Sequence, residues 1–473
     1  MLDKIITGIN NALYSYILII LLVAGGLYFT FKTKFVQIRL LKEQLKSVTD
    51  KGKSKNGVTS FQALMVSTAS RVGTGNIIGV STAICSGGFG SVFWMWVIAI
   101  IGGASAFVES TLSQIFKRKD KDEYYGGPAY YIETALKKRR LAVVFSVFLI
   151  LTYGFGFNML ASYNLQSTFS VYKFYNPSVT PYIIGLIVAF FVAYCLIGGG
   201  KRIIKITSFL VPVMGVAYVL VALLVIFMNI TSIPYVLKRI FDEAFNFKAI
   251  FGGFSGSCIM YGIKRGLFSN EAGVGSAPNA SGSADVSHPV KQGLVQILSV
   301  FIDTILICSA TAFLCMCSNV EPSKAIEGAP YVQMAVQSNL GLFGPVFITI
   351  AMVIFAFTTL LGNLFYVDKS IVHLYGKVPD RKYMIAYYIV ASLVIFSGAV
   401  LDASLLWNIA DVTMGLMTII NMPVIIMLSK YVVMALKDYE KQRKEGKDPV
   451  FYAENINLPC DVECWKQNKS QVQ

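Results

Sequence analysis

The sequence predicts an all-α polytopic membrane protein, because its composition and its apolar runs both exclude an ordinary soluble domain. Of its 473 residues, 55% are hydrophobic and only 14% are charged, and the mean hydropathy is +0.61. A soluble domain of this size carries far more charge on its surface. Apolar runs of about twenty residues recur along the chain, and a helix of that length spans the ~30 Å hydrocarbon core of a bilayer.

Eleven segments are long and apolar enough to be predicted as transmembrane helices. They lie at 12–31, 59–85, 91–116, 141–168, 181–199, 206–230, 245–263, 290–317, 342–367, 383–401 and 405–436. The first segment lacks a basic start and a small-residue cleavage site, so we expect it to stay as an anchor.

Basic residues are distributed unevenly between the two sides of the predicted bundle. If the eleven spans alternate, one side holds 34 of the 41 Lys and Arg residues, in 32–57, 117–140, 201–205, 264–291, 369–382 and 437–473 with nearby Lys430. By the positive-inside rule this side is cytoplasmic, so we expect the amino terminus outside and the carboxyl terminus in the cytoplasm. The membrane is expected to be the plasma membrane of the cell. The basic charge therefore indicates topology and not a nucleic-acid partner.

The ten spans after the first divide into two halves of five. The predicted regions are an amino-terminal helix with a basic loop (1–58), a first repeat (59–230), a second repeat (231–436) and a cytoplasmic tail (437–473). Because five is odd, the second half enters the membrane in the opposite orientation. Two halves with an odd number of spans and opposite orientations are typical of an inverted repeat, which is common in secondary transporters.

Each half carries a polar, glycine-rich interruption in its first helix, SRVGTGNIIGV (70–80) and FGGFSGSCIMYG (251–262). Glycine lets the backbone leave helical geometry, and the freed N–H and C=O groups need partners other than lipid. Close helix packing is the alternative explanation, but it does not require the hydrogen-bonding side chains of 73–76. The candidate ligand-binding residues are Gly73, Thr74, Gly75, Asn76, Gly252, Gly253, Phe254, Ser255 and Gly256.

A zwitterionic amino acid and a sodium ion would suit such breaks. Free N–H groups at the start of a half-helix bind a carboxylate, and carbonyls near 252–256 could accept from an ammonium group. The adjacent hydroxyls of Thr358 and Thr359 lie within an apolar helix. They either offer hard oxygen ligands to a cation or bond back to the preceding turn of their own helix.

Four charged residues fall in or near the predicted spans, namely Arg71, Glu109, Asp303 and Asp411. Each would cost about 2.5–3.5 kcal/mol at a lipid-exposed helix centre, so we expect all four to face the interior. Gating or coupling and a structural ion pair both remain open for them, and Arg71 could pair with one of the acids.

Other chemistry has little support in the sequence. The lone Cys460-x-x-x-Cys464 pair in the tail is a weak metal or redox signal, and the presence of only two histidines argues against a His-rich metal site or an imidazole proton relay. Paired carboxylates at a fixed spacing, a nucleotide-binding loop and a G-x-S-x-G motif are absent from the sequence, so we expect neither an enzyme nor a cofactor.

Five blocks together resemble the sodium:alanine/glycine symporter family. They are FQALMVSTASRVGTGNIIGV (61–80), GGFGSVFWMWVIAIIG (87–102), GGPAYYIE (126–133), KRGLFSNEAGVGSAP (264–278) and FAFTTLLGN (355–363). The resemblance covers about residues 60–430 and implies a leucine-transporter-type fold with one extra amino-terminal helix. It implies sodium-driven uptake of a small neutral amino acid by alternating access, with the ligand between the broken first and sixth core helices.

The resemblance also implies a sodium site between the first and eighth core helices. Its oxygen ligands would be the carbonyls of Ala69, Val72 and Phe355 and the hydroxyls of Thr358 and Thr359. The block at 264–278 is cytoplasmic by the predicted topology, and Asn270 and Glu271 are expected to act there as a structural latch.

Two departures from the family pattern leave the substrate open. Ala161 stands where the third core helix of the family usually has glutamine, and the Arg-containing first block and the final GN look more like a branch linked to glutamine. Alanine, glycine, serine and glutamine all remain candidates, and a proton carried by Glu109 or Asp303 is the alternative coupling ion.

Overall fold

The computed structural model describes residues 8, 10, 13–50, 57–120, 123–246 and 257–466. These residues are mostly helical, with one small antiparallel hairpin formed by β1 (Arg118–Asp120) and β2 (Glu123–Tyr125). The helices are α1 (Leu18–Lys32), α2 (Val36–Arg39), α3 (Leu41–Val48), α4 (Ser60–Arg71), α5 (Val80–Gly87), α6 (Gly90–Ile115), α7 (Pro128–Leu136), α8 (Arg139–Leu149), α9 (Phe157–Ser167), α10 (Thr180–Ile197), α11 (Gly199–Met228), α12 (Ile233–Ala244), α13 (Cys258–Asn270), α14 (Pro278–Ser281), α15 (Pro289–Val300), α16 (Ser309–Met316), α17 (Ala329–Leu340), α18 (Phe343–Tyr375), α19 (Arg381–Val400) and α20 (Ala403–Lys444).

Several long helices contain or adjoin a π-helical turn, in which each backbone N–H bonds to the carbonyl five residues earlier instead of four. These turns are Leu13–Ile17, Gly75–Gly79, Ile150–Gly156 and Phe301–Cys308. Such turns are frequent at functional sites, and two of the four lie in the candidate site below.

Within the described residues, eight helical segments are long and apolar enough to cross a membrane. They are Gly90–Ile115, Arg139–Val171, Thr180–Ile197, Gly199–Met228, Pro289–Met316, Phe343–Tyr375, Arg381–Val400 and Ala403–Lys444. The predicted spans at 12–31, 59–85 and 245–263 are not among them. The first is a 15-residue apolar helix, the second is broken after Arg71, and the third is described only in part. The count of eleven and the five-plus-five repeat stay predictions.

The helices approach one another closely at small residues, and some of their large apolar side chains face outward. Phe190 and Phe227 are more than half exposed, as expected for faces that meet lipid. On the inside, a Cβ added at Gly293 would lie 2.9 Å from the Phe107 carbonyl oxygen. Close backbone approach of this kind is typical of membrane helices, which gain little from burying apolar surface out of an apolar solvent.

The segment from Cys258 to Lys291 runs from one end of the bundle to the other. Near its start, Lys264 pairs with Asp411, two turns from the beginning of α20. At its far end, Lys291 pairs with Asp448, beyond the other end of α20. The expectation that 264–278 forms a cytoplasmic connection is therefore wrong. This stretch is almost entirely buried, because its polar groups bond within the protein, as shown below.

The tail after α20 folds back onto the end of the bundle that holds α20's carboxyl terminus. Phe451 N–H donates to the Ser287 carbonyl, and Trp465 Nε1 donates to the Gln114 carbonyl at 2.8 Å. Cys464 Sγ lies 3.4 Å from the Lys117 carbonyl oxygen, and burial raises the pKa of this thiol to about 11. Cys464 is therefore a protonated packing residue, and the described residues contain no cluster of His, Cys, Asp and Glu that could hold a metal.

Contact between α19 and α9 depends on Gly398. A Cβ at this position would lie 2.3 Å from Met159 Cα, whereas a Cβ at Gly215 in α11 would meet no heavy atom nearer than 4.0 Å. We expect Gly398→Ala to cost about 1–3 kcal/mol of unfolding free energy through overpacking. Gly215→Ala should be neutral or slightly stabilising, because alanine favours the helix. Thermal unfolding of both variants in detergent tests this, and equal melting temperatures would contradict it.

Candidate functional site

The first break lies where the sequence predicts it, after Arg71. Val72 leaves helical geometry with ψ of 89°, and the helix resumes as a π-helical turn at Gly75. The side chain of Asn76 bridges the gap, because its Oδ1 accepts from Gly73 N–H at 2.7 Å. Thr74 Oγ1 accepts from Asn164 Nδ2 of α9 at 3.0 Å. All residues of the break are buried.

Helix α18 lies directly against this break. Thr359 Oγ1 donates to the Ala69 carbonyl at 3.0 Å, and a Cβ at Gly73 would lie only 2.1 Å from the same hydroxyl oxygen. Glycine is therefore required here for close approach. The preceding residue, Thr358, donates its Oγ1 to the carbonyl of Phe355, one turn earlier in the same helix, at 3.1 Å. Four of the five predicted sodium ligands thus form two hydroxyl–carbonyl pairs, one across the helices and one within α18.

A second break, which the sequence reasoning missed, follows α13. Glu271 ends the helix in the left-handed conformation with φ of 52°, and Gly273 and Gly275 follow at φ of 84° and 94°. Glu271 Oε2 accepts from Ser276 Oγ at 2.6 Å, and its Oε1 lies 3.5 Å from Ser70 Oγ of the first break. Ala272-Gly-Val-Gly-Ser276 has the same glycine spacing as Val72-Gly-Thr-Gly-Asn76, and that is the signal that could have located it.

The predicted ligand-binding residues Gly252, Gly253, Phe254, Ser255 and Gly256 lie outside the described residues. The glycine-rich break that faces 72–76 among the described residues is the one at 271–276.

Asp303 connects the two broken segments. Its Oδ1 accepts from Asn76 Nδ2 at 2.7 Å and from Ser269 Oγ at 3.1 Å, and its Oδ2 accepts from Thr304 Oγ1 at 2.7 Å. Asp303 lies in the π-helical turn Phe301–Cys308 and is fully buried. One carboxylate therefore holds the helix after the first break against the helix before the second.

Glu109 of α6 supports the second break from the other side. Its Oε1 accepts from Gly273 N–H at 3.3 Å, and its Oε2 accepts from Asn421 Nδ2 at 2.9 Å. The same Asn421 amide donates to the Gly273 carbonyl at 2.9 Å. The N–H and C=O groups of Gly273, freed by the break, are thus both satisfied by buried side chains.

Arg71 lies among three carboxylates without a direct ion pair. The side chain is 2% exposed, and its Nη1 donates to Gln296 Oε1 at 3.0 Å. Its Nε and Nη2 have no hydrogen-bond partner among the described residues. Glu109, Glu271 and Asp303 all interact with the guanidinium electrostatically, yet no carboxylate oxygen in the described part of the chain lies within 4.0 Å of it.

Asp411 belongs to a separate charged cluster. It pairs with Lys264 at 2.8 Å, and Arg265 Nη1 lies 3.9 Å from its other oxygen. Tyr14, from the turn before α1, donates its hydroxyl to the Asp411 carbonyl. The Arg265 guanidinium stacks on the Trp407 ring at 4.1 Å. The structure therefore gives Asp411 and Arg71 different partners.

A small cavity lies at the first break. It measures about 10 Å³, about the room that one water molecule needs. Ala161 and Leu160 of α9, Thr359 of α18, and the backbone around Gly73 and Gly75 are in its wall. Phe157 and Phe268 also line it and stack on each other with ring centroids 4.6 Å apart, and Trp407 packs on Phe268 at 4.8 Å. The centre of the bundle is therefore closed in this conformation.

The sequence of this chain matches a known protein family. The sodium:alanine symporter family matches residues 1–453. The chain belongs to this family.

Relatives in the sodium:alanine symporter family align over nearly the whole chain. The probable sodium/glutamine symporter GlnT of Bacillus subtilis is 43% identical over 98% of this chain and 96% of its own length. Amino-acid carrier protein AlsT of the same organism is 40% identical over 98% and 97%. The sodium/alanine symporter AgcS of Methanococcus maripaludis is 36% identical over 93% and 98%.

A solved structure of a Na⁺-coupled sialic acid symporter, in a substrate-bound outward-open state, aligns over 93% of both chains. The TM-score is 0.49 and the sequence identity 13%, a likeness too distant to carry an argument about this chain. Family membership, by contrast, shows a sodium-coupled amino-acid symporter of the membrane and not an enzyme.

The Lys264–Asp411 pair offers a test of the second charged cluster. Asp411→Asn leaves a nearly buried lysine without its counter-charge, and breaking such a pair costs about 3–5 kcal/mol. We expect a clear drop in the melting temperature in detergent, partly recovered in Lys264→Gln/Asp411→Asn. Glu445→Gln, which breaks the exposed pair with Lys447, should leave the melting temperature unchanged. A double variant no more stable than Asp411→Asn would contradict the pairing.

Proposed function

We propose that this protein imports a small neutral amino acid, alanine or glycine, together with sodium by alternating access. The observation that carries the proposal is the meeting of two helix breaks, at 72–76 and 271–276, with the hydroxyl pair of α18 packed against the first. Broken helices of this kind place half-helix ends, and backbone groups released from the helix, at the centre of a membrane protein, where transporters bind substrate and ion.

The substrate would bind between the two breaks. The first turn of the helix that begins at Gly75 offers N–H groups and positive dipole potential to the carboxylate. Carbonyls of the second break, at 271–275, are candidate acceptors for the ammonium group. The predicted contribution of 252–256 remains a further candidate. An amino acid is far larger than the present cavity, so we infer that Phe157 and Phe268 separate when it enters.

Sodium would bind between the first break and α18. The proposed ligands are the carbonyl oxygens of Ala69, Val72 and Phe355 and the hydroxyl oxygens of Thr358 and Thr359. Oxygen atoms without a formal charge are suitable hard ligands for sodium, and four of the five proposed ligands form two hydroxyl–carbonyl pairs, whose hydroxyls lie on neighbouring residues of α18. Binding there would fix the position of Gly73 against α18 and so prepare the break for substrate.

The charged residues then have distinct proposed roles. Arg71, Glu109 and Asp303 would couple the state of one break to the other, because Asp303 touches both broken segments and Glu109 holds the second. Asp411, with Arg265 and Trp407, would gate access on the side where α20 begins. The inward sodium gradient and the membrane potential, about 2.3 kcal/mol per charge per 100 mV, would drive the cycle.

The proposed arrangement in the membrane follows the charge distribution. We propose eleven spans, with an amino-terminal helix (1–58), inverted repeats at 59–230 and 231–436 and a cytoplasmic tail (437–473) in the plasma membrane. Lys264 and Arg265, which the sequence assigns to a cytoplasmic loop, lie in the interior of the bundle instead. The other Lys and Arg residues counted on the cytoplasmic side remain assigned to that side. The rule therefore still supports an external amino terminus.

Glutamine is the second candidate substrate, and Ala161 is the observation that favours it. The methyl side chain of Ala161 lies in the cavity wall and leaves room for a longer substrate. The 43% identical relative is named as a probable sodium/glutamine symporter. Serine is a further candidate on size, and a proton is the alternative coupling ion because Glu109 and Asp303 are buried carboxyl groups.

The decisive experiment is uptake of labelled alanine and glutamine into proteoliposomes of the full chain. An imposed sodium gradient, an imposed proton gradient and no gradient are compared. We expect uptake of one of the two amino acids with sodium only. Uptake driven by protons alone would overturn the sodium assignment, and no sodium-dependent uptake of any neutral amino acid in a wider screen would overturn the proposed function.

The two threonines of α18 test the sodium site. We expect Thr359→Val and Thr358→Ala each to raise the half-saturating sodium concentration by about tenfold, because each removes one hydroxyl ligand worth about 1 kcal/mol or more. Thr418→Val is the matched control, since Thr418 is equally buried and donates to a carbonyl of its own helix. Unchanged sodium dependence in both α18 variants would contradict the site.

Ala161 tests the substrate assignment. A glutamine side chain at this position would fill part of the space beside the first break. We therefore expect Ala161→Gln to lower glutamine uptake at least fivefold more than alanine uptake, or about 1 kcal/mol of discrimination. Ala161→Ser adds a single oxygen atom and should keep the ratio of the two rates. Equal losses for both substrates in Ala161→Gln would show that Ala161 does not face the bound side chain.

A further inference from the structure

A large groove lies between α10 and α19, on the outside of the bundle. The two antiparallel helices touch at one end, where a Cβ on Gly185 would lie 2.8 Å from Ala399 Cβ. From there toward the open end, residues of both helices line a groove of about 980 Å³, at the upper end of the ~300–1,000 Å³ range of ligand pockets. None of the residues that line this groove also lines the cavity at the first break.

The groove is apolar and open to the surroundings of the bundle. Small residues form its floor, among them Ala189, Ala193 and Ser392, while Phe190 and Leu393 stand in its walls with more than half of each side chain exposed. From Leu186 to Ile197 it follows α10 for about 17 Å at 1.5 Å per residue. One leaflet of the ~30 Å hydrocarbon core is about 15 Å deep, so the groove matches the reach of an acyl chain.

Two arginines flank the open end of the groove. Arg381 lies in the lining itself. Arg202 lies beside lining residue Gly198, where an added Cβ would be 2.5 Å from the guanidinium carbon. Arg202 is held in place because Nη1 donates to the Tyr194 carbonyl at 2.7 Å and the guanidinium packs on the Tyr194 ring at 4.8 Å.

Basic residues outnumber acidic ones in the sequence around this end of the groove, and the Asp368 carboxylate acts electrostatically on the lining residue Tyr388. Asp380 precedes Arg381, but Lys382 follows it, and Lys201 and Lys205 lie near Arg202 in the sequence. Arginine presents a planar fork of N–H groups that matches phosphate oxygens. Basic pockets between transmembrane helices are typical binding sites for anionic lipid headgroups.

We propose that this groove is a binding site for one anionic phospholipid. One of its two acyl chains lies between α10 and α19, and its phosphate contacts Arg202 and Arg381. The groove is apolar and about as long as one leaflet is deep, which suits the acyl chain of a lipid. The two guanidinium groups favour a negatively charged headgroup over a zwitterionic one. The proposal rests on the membrane location of the chain and not on its transport activity.

The test uses the full chain, purified in detergent and stripped of lipid. Phosphatidylglycerol and phosphatidylcholine are titrated separately, with the melting temperature followed by fluorimetry and bound lipid counted by native mass spectrometry. We expect phosphatidylglycerol to stabilise the protein saturably, at a midpoint concentration about tenfold or more below that of phosphatidylcholine. A tenfold preference corresponds to about 1.4 kcal/mol, or about 0.7 kcal/mol for each of the two arginines.

Two kinds of variant separate the headgroup from the acyl chain. Arg202→Gln/Arg381→Gln should abolish the preference for phosphatidylglycerol, and Ser392→Trp should remove one bound lipid by filling the groove. The controls are Arg140→Gln, an exposed arginine elsewhere, and Leu220→Trp, on the exposed face of α11. Both should behave like the unmodified protein.

Three results would overturn the proposal. One is equal midpoints for the two lipids in the unmodified protein, and another is an unchanged preference in Arg202→Gln/Arg381→Gln. The third is a Ser392→Trp variant that keeps its lipid count but changes from a dimer to a monomer in light scattering, because the groove would then hold a second copy of the chain.

Discussion

A helix that breaks inside an apolar bundle leaves amide and carbonyl groups that lipid cannot pair, and the centre of this structure satisfies that requirement with buried side chains. Asn76 accepts from the freed Gly73 amide. Glu109 and Asn421 satisfy the freed amide and carbonyl of Gly273. These polar residues, costly to bury without partners, are stable in the interior because the breaks supply their hydrogen bonds. The breaks and the polar interior therefore depend on each other.

The same side chains make the two breaks parts of one unit. Asp303 accepts from Asn76 after the first break and from Ser269 before the second. Close packing adds to this, because a Cβ on Gly362 would lie 2.7 Å from the Ser70 amide nitrogen, so α18 cannot shift without moving the first break. A displacement at either break must then be accommodated at the other, which is the mechanical requirement for coupling two ligands in one cycle.

Local sequence chemistry predicts much of this fold and part of the site. Hydropathy locates the long spans, and the glycine and asparagine of 73–76 locate the first break, because neither signal depends on tertiary contacts. The second break was missed since polarity made 264–278 look like a loop, although AGVGS repeats the glycine spacing of VGTGN. The partners of Arg71 could not be predicted, because Gln296 is 225 positions away and only the folded chain brings them together.

The surroundings of Arg71 give a physical reason for cation coupling in particular. Three carboxylates interact with one guanidinium in a buried centre, so negative charge is in excess when all four groups are ionised. Such an excess is costly in a low dielectric unless a further cation reduces it. A cation bound beside Thr359 lies next to the same break and would lower that cost in the closed arrangement. A proton on one of the carboxylates would do the same, so the electrostatics favour either a bound cation or a protonated carboxyl, and the proposed oxygen ligands of α18 are what favour sodium.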